Sequence, residues 1–299
     1  AITLYEQALT DHTRILGEDH PNTLTSRNNL AYAYQSAGRL PEAITLFEQV
    51  LPDRTRILGE DHPDTLTSRN NLAYAYHAAG RLPEAIALYE QVLTDRTRVL
   101  GKDHPNTLAS RNNLAGAYKS AGRLPEAIAL YEQVLTDRTR VLGEDHPDTL
   151  TSRHDLAGAY HAAGRLPEAI ALYEQVLTDR TRVLGKDHPN TLASRNNLAG
   201  AYKSAGRLTE AIALYEQVLT DRTRVLGEDH PDTLTSRHDL AGAYASDGNL
   251  PEAIVRWQAV CADCLRILGP DHPLTVTVCE NLEAAKRELE KQEEELPAE

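Results

Sequence analysis

The sequence lacks most of the residues from which a large globular core is usually built. Its 299 residues include one phenylalanine, one tryptophan and no methionine, so alanine, leucine, valine and tyrosine must fill the interior. Three cysteines, all towards the C-terminal end, are too few for a disulfide framework. No apolar run approaches the roughly 20 residues that a membrane span needs, and no signal-peptide pattern occurs. We therefore expect a soluble cytoplasmic protein that makes no membrane contact.

The charge balance and the missing motifs exclude further classes of function. The formal net charge is −13, which leaves no basic excess to displace counterions from phosphates and argues against nucleic-acid binding. The sequence also has no glycine-rich phosphate loop and no nucleophile elbow. It therefore predicts neither an enzyme nor a cofactor site.

What the sequence does contain is a unit of 42 residues that recurs along nearly the whole chain. The interval is marked by Gly17, Gly59, Gly101, Gly143, Gly185, Gly227 and Gly269, and by a proline four residues after each of them. A fixed period of this size is typical of a solenoid, in which each repeat contacts only its neighbours. The repeats at 102–143 and 186–227 differ only at Pro125 and Thr209, which indicates that a block of 84 residues was duplicated.

Each unit is predicted to form two helices, as the stretch 59–100 illustrates. The first half places Leu66, Leu72 and Ala73 on one helical face and ends before Gly80. The second half begins at Pro83 and carries a broad apolar stripe made of Ala85, Ile86, Tyr89, Val92, Leu93, Val99 and Leu100. The residues 80–82 between the halves are too few for anything but an antiparallel hairpin of helices.

The residues of this unit resemble a known family. Leu72, Ala73, Tyr76, Gly80, Ala85, Tyr89, Val92 and Leu93 have the spacing of the tetratricopeptide (TPR) signature. The longer period, the LG-x-DHP turn and the NNLA motif resemble the kinesin light chain type of TPR, and the near-identity of the repeats suggests a bacterial source. The resemblance implies an all-α, right-handed superhelix, or α-solenoid, of antiparallel helix pairs.

The period also divides the chain. Residues 1–17 are expected to form a partial repeat with a second helix only, and residues 270–299 a C-terminal capping helix and acidic tail. Full repeats are predicted at 18–59, 60–101, 102–143, 144–185, 186–227 and 228–269. Because the first residue falls inside a predicted second helix, we expect the sequence to be part of a longer protein.

The resemblance places two polar columns in the concave groove that first helices line in TPR proteins. The first amide column consists of Asn28, Asn70, Asn112, His154, Asn196 and His238. The second amide column consists of Asn29, Asn71, Asn113, Asp155, Asn197 and Asp239. An amide both donates and accepts hydrogen bonds, so such a column could hold an extended peptide backbone of any sequence. Alternatively, one amide of each pair bonds the neighbouring helix and only supports stacking.

Further along the same helices, the repeats differ from one another. Tyr32 and Tyr74 are followed by glycine in the next four repeats, and His77, Lys119, His161 and Lys203 alternate one turn beyond. Variation within otherwise copied repeats fits a surface that selects a ligand, and it equally fits drift on a solvated face. We include these six residues with the amide columns as candidate peptide-groove residues.

One arginine per repeat replaces the bulky apolar residue usual at its position in the TPR pattern. These residues are Arg27, Arg69, Arg111, Arg153, Arg195 and Arg237. An arginine near an apolar seam requires a partner, and Asp53 and its equivalents in the second helices are suitable. We therefore interpret this arginine row as a structural ladder.

The remaining histidines and cysteines suggest little chemistry. Seven of the twelve histidines lie in the DHP turns, where either Asp61 or His62 caps the following helix in the repeat shown above. His154 and His161 with Asp155 make an unconvincing metal site, so no metal is predicted. Cys261 and Cys264 form a C-x-x-C pattern on a predicted helix and are interpreted as free core thiols.

The sequence thus favours a non-catalytic scaffold that binds an extended peptide or partner segment in its groove. A second hypothesis is a C-terminal sensor arm that restrains an N-terminal effector domain of a bacterial signalling NTPase with an NB-ARC-like core. A third is a structural spacer or self-assembly element.

Overall fold

The turn before each first helix has a defined capping geometry. In the computed structural model, which describes residues 2–294, the His62 Nδ1 atom accepts a hydrogen bond from the backbone N–H of Asp64 at 3.2 Å. The histidine of every DHP turn makes the same bond. Histidine is therefore the cap, and Asp61 instead binds Arg98, which lies 37 residues further along the chain.

Glycine is required before each helix pair and between its two helices. Gly59, between the end of one repeat and the DHP turn, has φ 93°, and Gly80, between the two helices of the pair, has φ 74°. Residues other than glycine are strained in this left-handed region, because they carry a Cβ atom. The repeated glycines therefore fix where each helix ends, as expected for residues just beyond a helix C-terminus.

The described residues form fourteen helices and no strand, which confirms the predicted all-α repeat fold. The helices are α1 Ile2–Leu16, α2 Pro21–Ser36, α3 Leu40–Leu58, α4 Pro63–Ala78, α5 Leu82–Leu100, α6 Pro105–Ser120, α7 Leu124–Leu142, α8 Pro147–Ala162, α9 Leu166–Leu184, α10 Pro189–Ser204, α11 Leu208–Leu226, α12 Pro231–Ser246, α13 Leu250–Ile267 and α14 Pro273–Glu294. Even-numbered helices are the first helices of the pairs and odd-numbered ones the second. The repeat boundaries given above stay a prediction, and residues 295–299 of the expected acidic tail lie outside the described residues.

Contacts divide the chain into two compact units, residues 1–155 and 156–299, and the division falls inside α8. In the first unit the helices α1 to α7 pack on one another in chain order, and in the second unit α9 to α14 do the same. First helices also contact each other directly, α2 with α4 and α4 with α6, whereas α3 and α5 make no such contact in the described part of the chain. In the first unit the first helices therefore form the more closely spaced side, as a concave face requires.

The interior is built from the predicted apolar positions. Leu66, Ala73 and Tyr89 are at most 1% exposed, and the corresponding residues of the other repeats are similarly buried. Val99 is 40% exposed, so the apolar stripe of the second helix ends before its last turn. None of the described helices is long and apolar enough to cross a membrane.

Two different arginines of each repeat connect neighbouring helices. The row predicted as a ladder is paired as expected, with Arg27 on Asp53 at 3.0 Å and Arg111 on Asp137 at 2.7 Å. A second, unpredicted row is buried at each of its members, whereas the first row is buried only at Arg69 and Arg153. The second row consists of Arg54, Arg96, Arg138, Arg180 and Arg222. Each of these donates to a serine of the following first helix, as Arg138 does to Ser152 Oγ at 2.7 Å. We call this contact the arginine–serine link.

The last junction departs from the repeat. Cys264 and Val278 stand where the link would place arginine and serine, and both are buried. The prediction that Cys261 is a free thiol is wrong, because Cys261 forms a disulfide with Cys279 and so joins α13 to α14. The sequence pattern had suggested Cys264 as the neighbour of Cys261, but the packing of α14 brings Cys279 to within 5.4 Å of Cys261, measured between Cα atoms. Cys264 is a free buried thiol, as predicted.

Candidate functional site

All the candidate groove residues lie on first helices. The first amide column is half-buried throughout, whereas the second is exposed at Asn29 and Asn197 and half-buried elsewhere. His154 and Asp155 lie on α8, and the four alternating histidines and lysines lie one to two turns beyond the amides. The hydrogen bonds of these residues decide which of them are available to a ligand.

Several amides join successive first helices. Asn112 Nδ2 donates to Asp155 Oδ2 at 3.0 Å, and Asn196 Nδ2 donates to Asp239 Oδ2 at 2.8 Å. Asn113 Nδ2 donates to Asn70 Oδ1 at 3.2 Å. A residue of the first column thus bonds a residue of the second column one repeat later. These bonds match the alternative in which the amides support stacking.

The amides at the start of the chain are differently placed. Neither Asn29 nor Asn71 makes a hydrogen bond to another residue of the part of the chain that the structure describes. Asn71 faces a cleft of about 400 Å³ between α2 and α4, and Asn29 faces one of about 560 Å³ between α1 and α2. Uncommitted donors and acceptors therefore adjoin open space in the first two complete repeats.

Two exposed tyrosines border the cleft between α2 and α4. Tyr32 is 61% exposed and Tyr74 is 52% exposed, although most aromatic side chains of the chain are buried. The other lining residues are Gln35, Ser36, Leu40, Asn70, Asn71 and Ala78. We call this surface the tyrosine cleft. It contains no charged side chain, in a chain of which 25% of the residues are charged.

Glycine replaces these tyrosines in the following repeats, and buried tyrosine hydroxyls lie beside it. A Cβ atom added to Gly116 would lie 3.4 Å from the Tyr131 hydroxyl, and one added to Gly200 would lie 3.3 Å from the Tyr215 hydroxyl. The tyrosines of these second helices were predicted only as core residues. Their approach to the first helices could not be read from the sequence, because it depends on how the two helices cross.

The alternating histidines and lysines are grouped with serines that the sequence analysis did not single out. His77 Nε2 lies 2.8 Å from Ser120 Oγ, and His161 Nε2 lies 2.8 Å from Ser204 Oγ. Burial lowers the pKa of both histidines, and the charges of Lys119 and Lys203 lower it further. The 84-residue duplication thus places the same polar group in both units. The serines could have been found by their position, which follows each lysine directly.

His238 differs from the other first-column residues in its partner. The Trp257 indole Nε1–H donates to His238 Nδ1 at 3.1 Å, so this nitrogen must be unprotonated. Burial lowers the pKa of His238, Lys203 lowers it further, and Asp239 opposes both effects. The neutral imidazole is therefore the form that the fold favours.

Acidification should break the hydrogen bond between Trp257 and His238 before it unfolds the protein. Because the folded-state pKa of His238 lies below its unfolded value of about 6.5, its contribution to stability is present above that pH and is lost as the pH falls through the folded pKa. Trp257 is the single tryptophan, so its fluorescence should change in that range. The His238→Asn variant, which restores the residue of four other repeats, should show no such change. A transition that persists unaltered in this variant would contradict the assignment.

A metal centre finds no support in the geometry. Within residues 2–294 no three histidine, cysteine, aspartate or glutamate side chains are grouped so that they could hold a metal ion. His154, His161 and Asp155, considered for this role from the sequence, are therefore not a metal cluster.

Comparisons with known proteins were made for both sequence and fold. A family model described as tetratricopeptide repeat matches residues 1–55, 29–97, 64–139, 120–182, 157–222 and 195–256. No curated protein sequence matches the chain. A crystal structure of nearly identical TPR-like repeats from a candidate kinesin light chain of Podosopora anserina is 40% identical, with a TM-score of 0.60. The match covers 69% of this chain and 97% of the Podosopora chain.

Two more distant structures share the fold. A tetratricopeptide repeat protein from Parabacteroides merdae is 14% identical, with a TM-score of 0.67, and the match covers 95% of this chain and 92% of that one. A signal transduction ATPase of Pyrococcus horikoshii with a tetratricopeptide repeat sensor is 15% identical, with a TM-score of 0.64. That match covers 95% of this chain and 40% of the ATPase.

Proposed function

The chain belongs to the tetratricopeptide repeat family, whose members generally mediate protein–protein interaction and are not catalytic, and on this premise we propose that its first helices bind an extended segment of a partner protein. The binding surface consists of α2, α4 and α6 in the first unit. The second-column amides that are not bonded to neighbouring helices hold the ligand backbone. No catalytic step and no cofactor is assigned to the chain.

The observation that carries the proposal is the uncommitted state of Asn71, which occupies the position where Asp155 and Asp239 are bonded to the preceding first helix. Asn71 adjoins an open cleft between α2 and α4, on the side where these first helices approach one another, and Asn29 occupies the equivalent position of the preceding repeat. A peptide bond offers one donor and one acceptor, which an amide side chain can match at once. The more C-terminal amides Asn112 and Asn196 act instead in stacking, so the ligand backbone is held at the beginning of the chain. His77 and Lys119, which lie on α4 and α6, modulate its selection.

Removing both amides should abolish most of the binding without affecting the fold. A peptide selected from a random display library on the wild-type chain should bind the Asn29→Ala/Asn71→Ala variant about thirtyfold more weakly. Two lost hydrogen bonds of roughly 1 kcal/mol each would account for that loss. The matched control is Gln49→Ala/Gln91→Ala, which deletes two exposed amides from second helices. Isothermal titration calorimetry measures the affinities, and equal affinity of both double variants would refute the proposal.

The two other hypotheses make different predictions. If the chain is the sensor arm of a larger signalling ATPase, it should bind an effector domain of its own parent protein and lower the rate of ATP hydrolysis by that domain. If it is a spacer or self-assembly element, its mass in solution should grow with concentration. The cytoplasmic location is likewise a proposal. The Cys261–Cys279 disulfide argues against it, since such bonds are rare in reducing compartments.

A further inference from the structure

The tyrosine cleft stands out because its composition differs from that of the rest of the surface. All the side chains that line it are uncharged, whereas the chain as a whole carries a formal net charge of −13. The neighbouring cleft between α1 and α2, which shares Tyr32 and Ser36 with it, is also lined by uncharged residues alone. A charged ligand segment would find no opposite charge here and would lose hydration on binding.

The two tyrosines are the features of this surface best suited to bind a ligand. Tyr32 and Tyr74 occupy the same position of consecutive repeats, and each leaves more than half of its surface open to water. Tyrosine supplies a large rigid contact area with few rotatable bonds, and exposed aromatic groups of this kind commonly mark interaction sites. From α6 onward glycine takes this position, so the row ends after two rings.

The polar groups of the cleft add a second requirement. Asn71 and Gln35 present amides that make no hydrogen bond to another described residue. A ligand that matches them must carry backbone carbonyls not already used by its own secondary structure. A polyproline II segment meets this requirement, because it is extended and has no internal hydrogen bonds.

We propose that the tyrosine cleft binds an uncharged, proline-rich segment in the polyproline II conformation. Prolyl rings stack on the faces of Tyr32 and Tyr74, and Asn71 and Gln35 donate to carbonyls between them. Aromatic grooves recognise proline-rich segments in this way because the ligand is already ordered before it binds. The inference rests on the proposed function and specifies the class of partner that the same surface selects.

Fluorescence polarisation with a labelled peptide of about ten residues, repeating Pro-Pro-Ala, tests this inference on the intact chain. A glycine–serine peptide of equal length controls for extended but flexible chains, and a glutamate-rich peptide controls for charge. The proline-rich peptide should bind at least tenfold more tightly than either control. No saturable binding up to millimolar concentration, or equal binding of the glycine–serine or glutamate-rich peptide, would overturn the inference.

Two variants separate the tyrosines from the rest of the surface. Tyr32→Ala/Tyr74→Ala should weaken the proline-rich peptide at least tenfold, and circular dichroism should show unchanged helicity, because later repeats already lack a side chain here. Gly116→Tyr adds a third ring to the row, at a position where its Cβ would meet only the Tyr131 hydroxyl at 3.4 Å. It should strengthen binding about threefold or more. An unchanged affinity in the double alanine variant contradicts the inference.

The outcomes also distinguish this inference from the proposed function. If library-selected peptides bind in a manner that requires Asn29 and Asn71 but the proline-rich peptide does not bind, only the partner class is wrong. If no selected peptide depends on these amides, the proposed function fails as well. If sedimentation shows that two chains associate and that Tyr32→Ala/Tyr74→Ala separates them, the cleft binds a second copy and the inference is overturned.

Discussion

Replacing Arg138 by cysteine should lower the free energy of unfolding by roughly 2–4 kcal/mol. Arg138 is 6% exposed, and its guanidinium donates to Ser152 Oγ at 2.7 Å and to the Asp148 carbonyl at 3.0 Å. Burial lowers the pKa of Arg138, but an arginine remains charged at any relevant pH. The variant leaves the serine hydroxyl and the carbonyl without this donor and opens a cavity between α7 and α8. Urea unfolding followed by circular dichroism measures the loss.

A second substitution in the same protein should recover part of that loss. The junction of α13 and α14 already replaces the arginine–serine link by Cys264 and Val278, both fully buried. Arg138→Cys/Ser152→Val copies this apolar solution, so it should be at least 1 kcal/mol more stable than Arg138→Cys alone, within the range of coupling between contacting residues. Recovery should be incomplete, since the Asp148 carbonyl still lacks its donor. A double variant no more stable than the single one would show that the link is not the source of the effect.

Reducing the Cys261–Cys279 disulfide should lower the free energy needed to detach α14 from α13 by about 3 kcal/mol. This is the stabilisation expected from a disulfide that closes a loop of roughly this length. The helix otherwise packs through Val278, Leu282 and Ala285 against α13, and no arginine–serine link joins the two. Hydrogen exchange of the α14 amides should accelerate about a hundredfold on reduction, as far as global stability allows.

Thiol counting provides the control for this prediction. The unfolded, unreduced chain should expose one reactive thiol, Cys264, and the reduced chain three. Cys264→Ser should retain the protection of α14, whereas Cys279→Ser should lose it without any reductant. Unreduced protein that exposes three thiols, or α14 exchange that is insensitive to reduction, would contradict the role of the disulfide.

The fold was predictable because its signals are local and are repeated. Glycine and proline recur every 42 residues, apolar residues follow a helical spacing, and the gap between the helices allows one connection only. The choice between Asp61 and His62 as cap was not predictable, since aspartate is ordinarily the better cap. Asp61 is held by Arg98, which lies on the second helix of the same pair, and that leaves the cap to His62.

The candidate site was predictable in position but not in availability. The sequence indicates which amides lie on the first helices, and the structure places them there. Whether an amide is bonded depends on a residue in the neighbouring repeat: Asp155 accepts from Asn112, whereas Asn28 and Asn71 stand at the equivalent positions and do not bond each other. The two arginines of each repeat illustrate the same limit. Both positions hold arginine in the first five full repeats, and only the packing shows that Arg138 is buried against Ser152 while Arg111 is half-buried and pairs with Asp137.

The arginine–serine link makes the internal junctions between repeats, here called joints, interchangeable. Each joint uses an arginine from one repeat and a serine from the next, so removing residues 102–143 would bring Arg96 to Ser152 and leave an intact joint. The histidines and lysines, in contrast, alternate, and only the loss or gain of an 84-residue block preserves their order. Recombination between copies can therefore change the length of the array without creating a faulty joint.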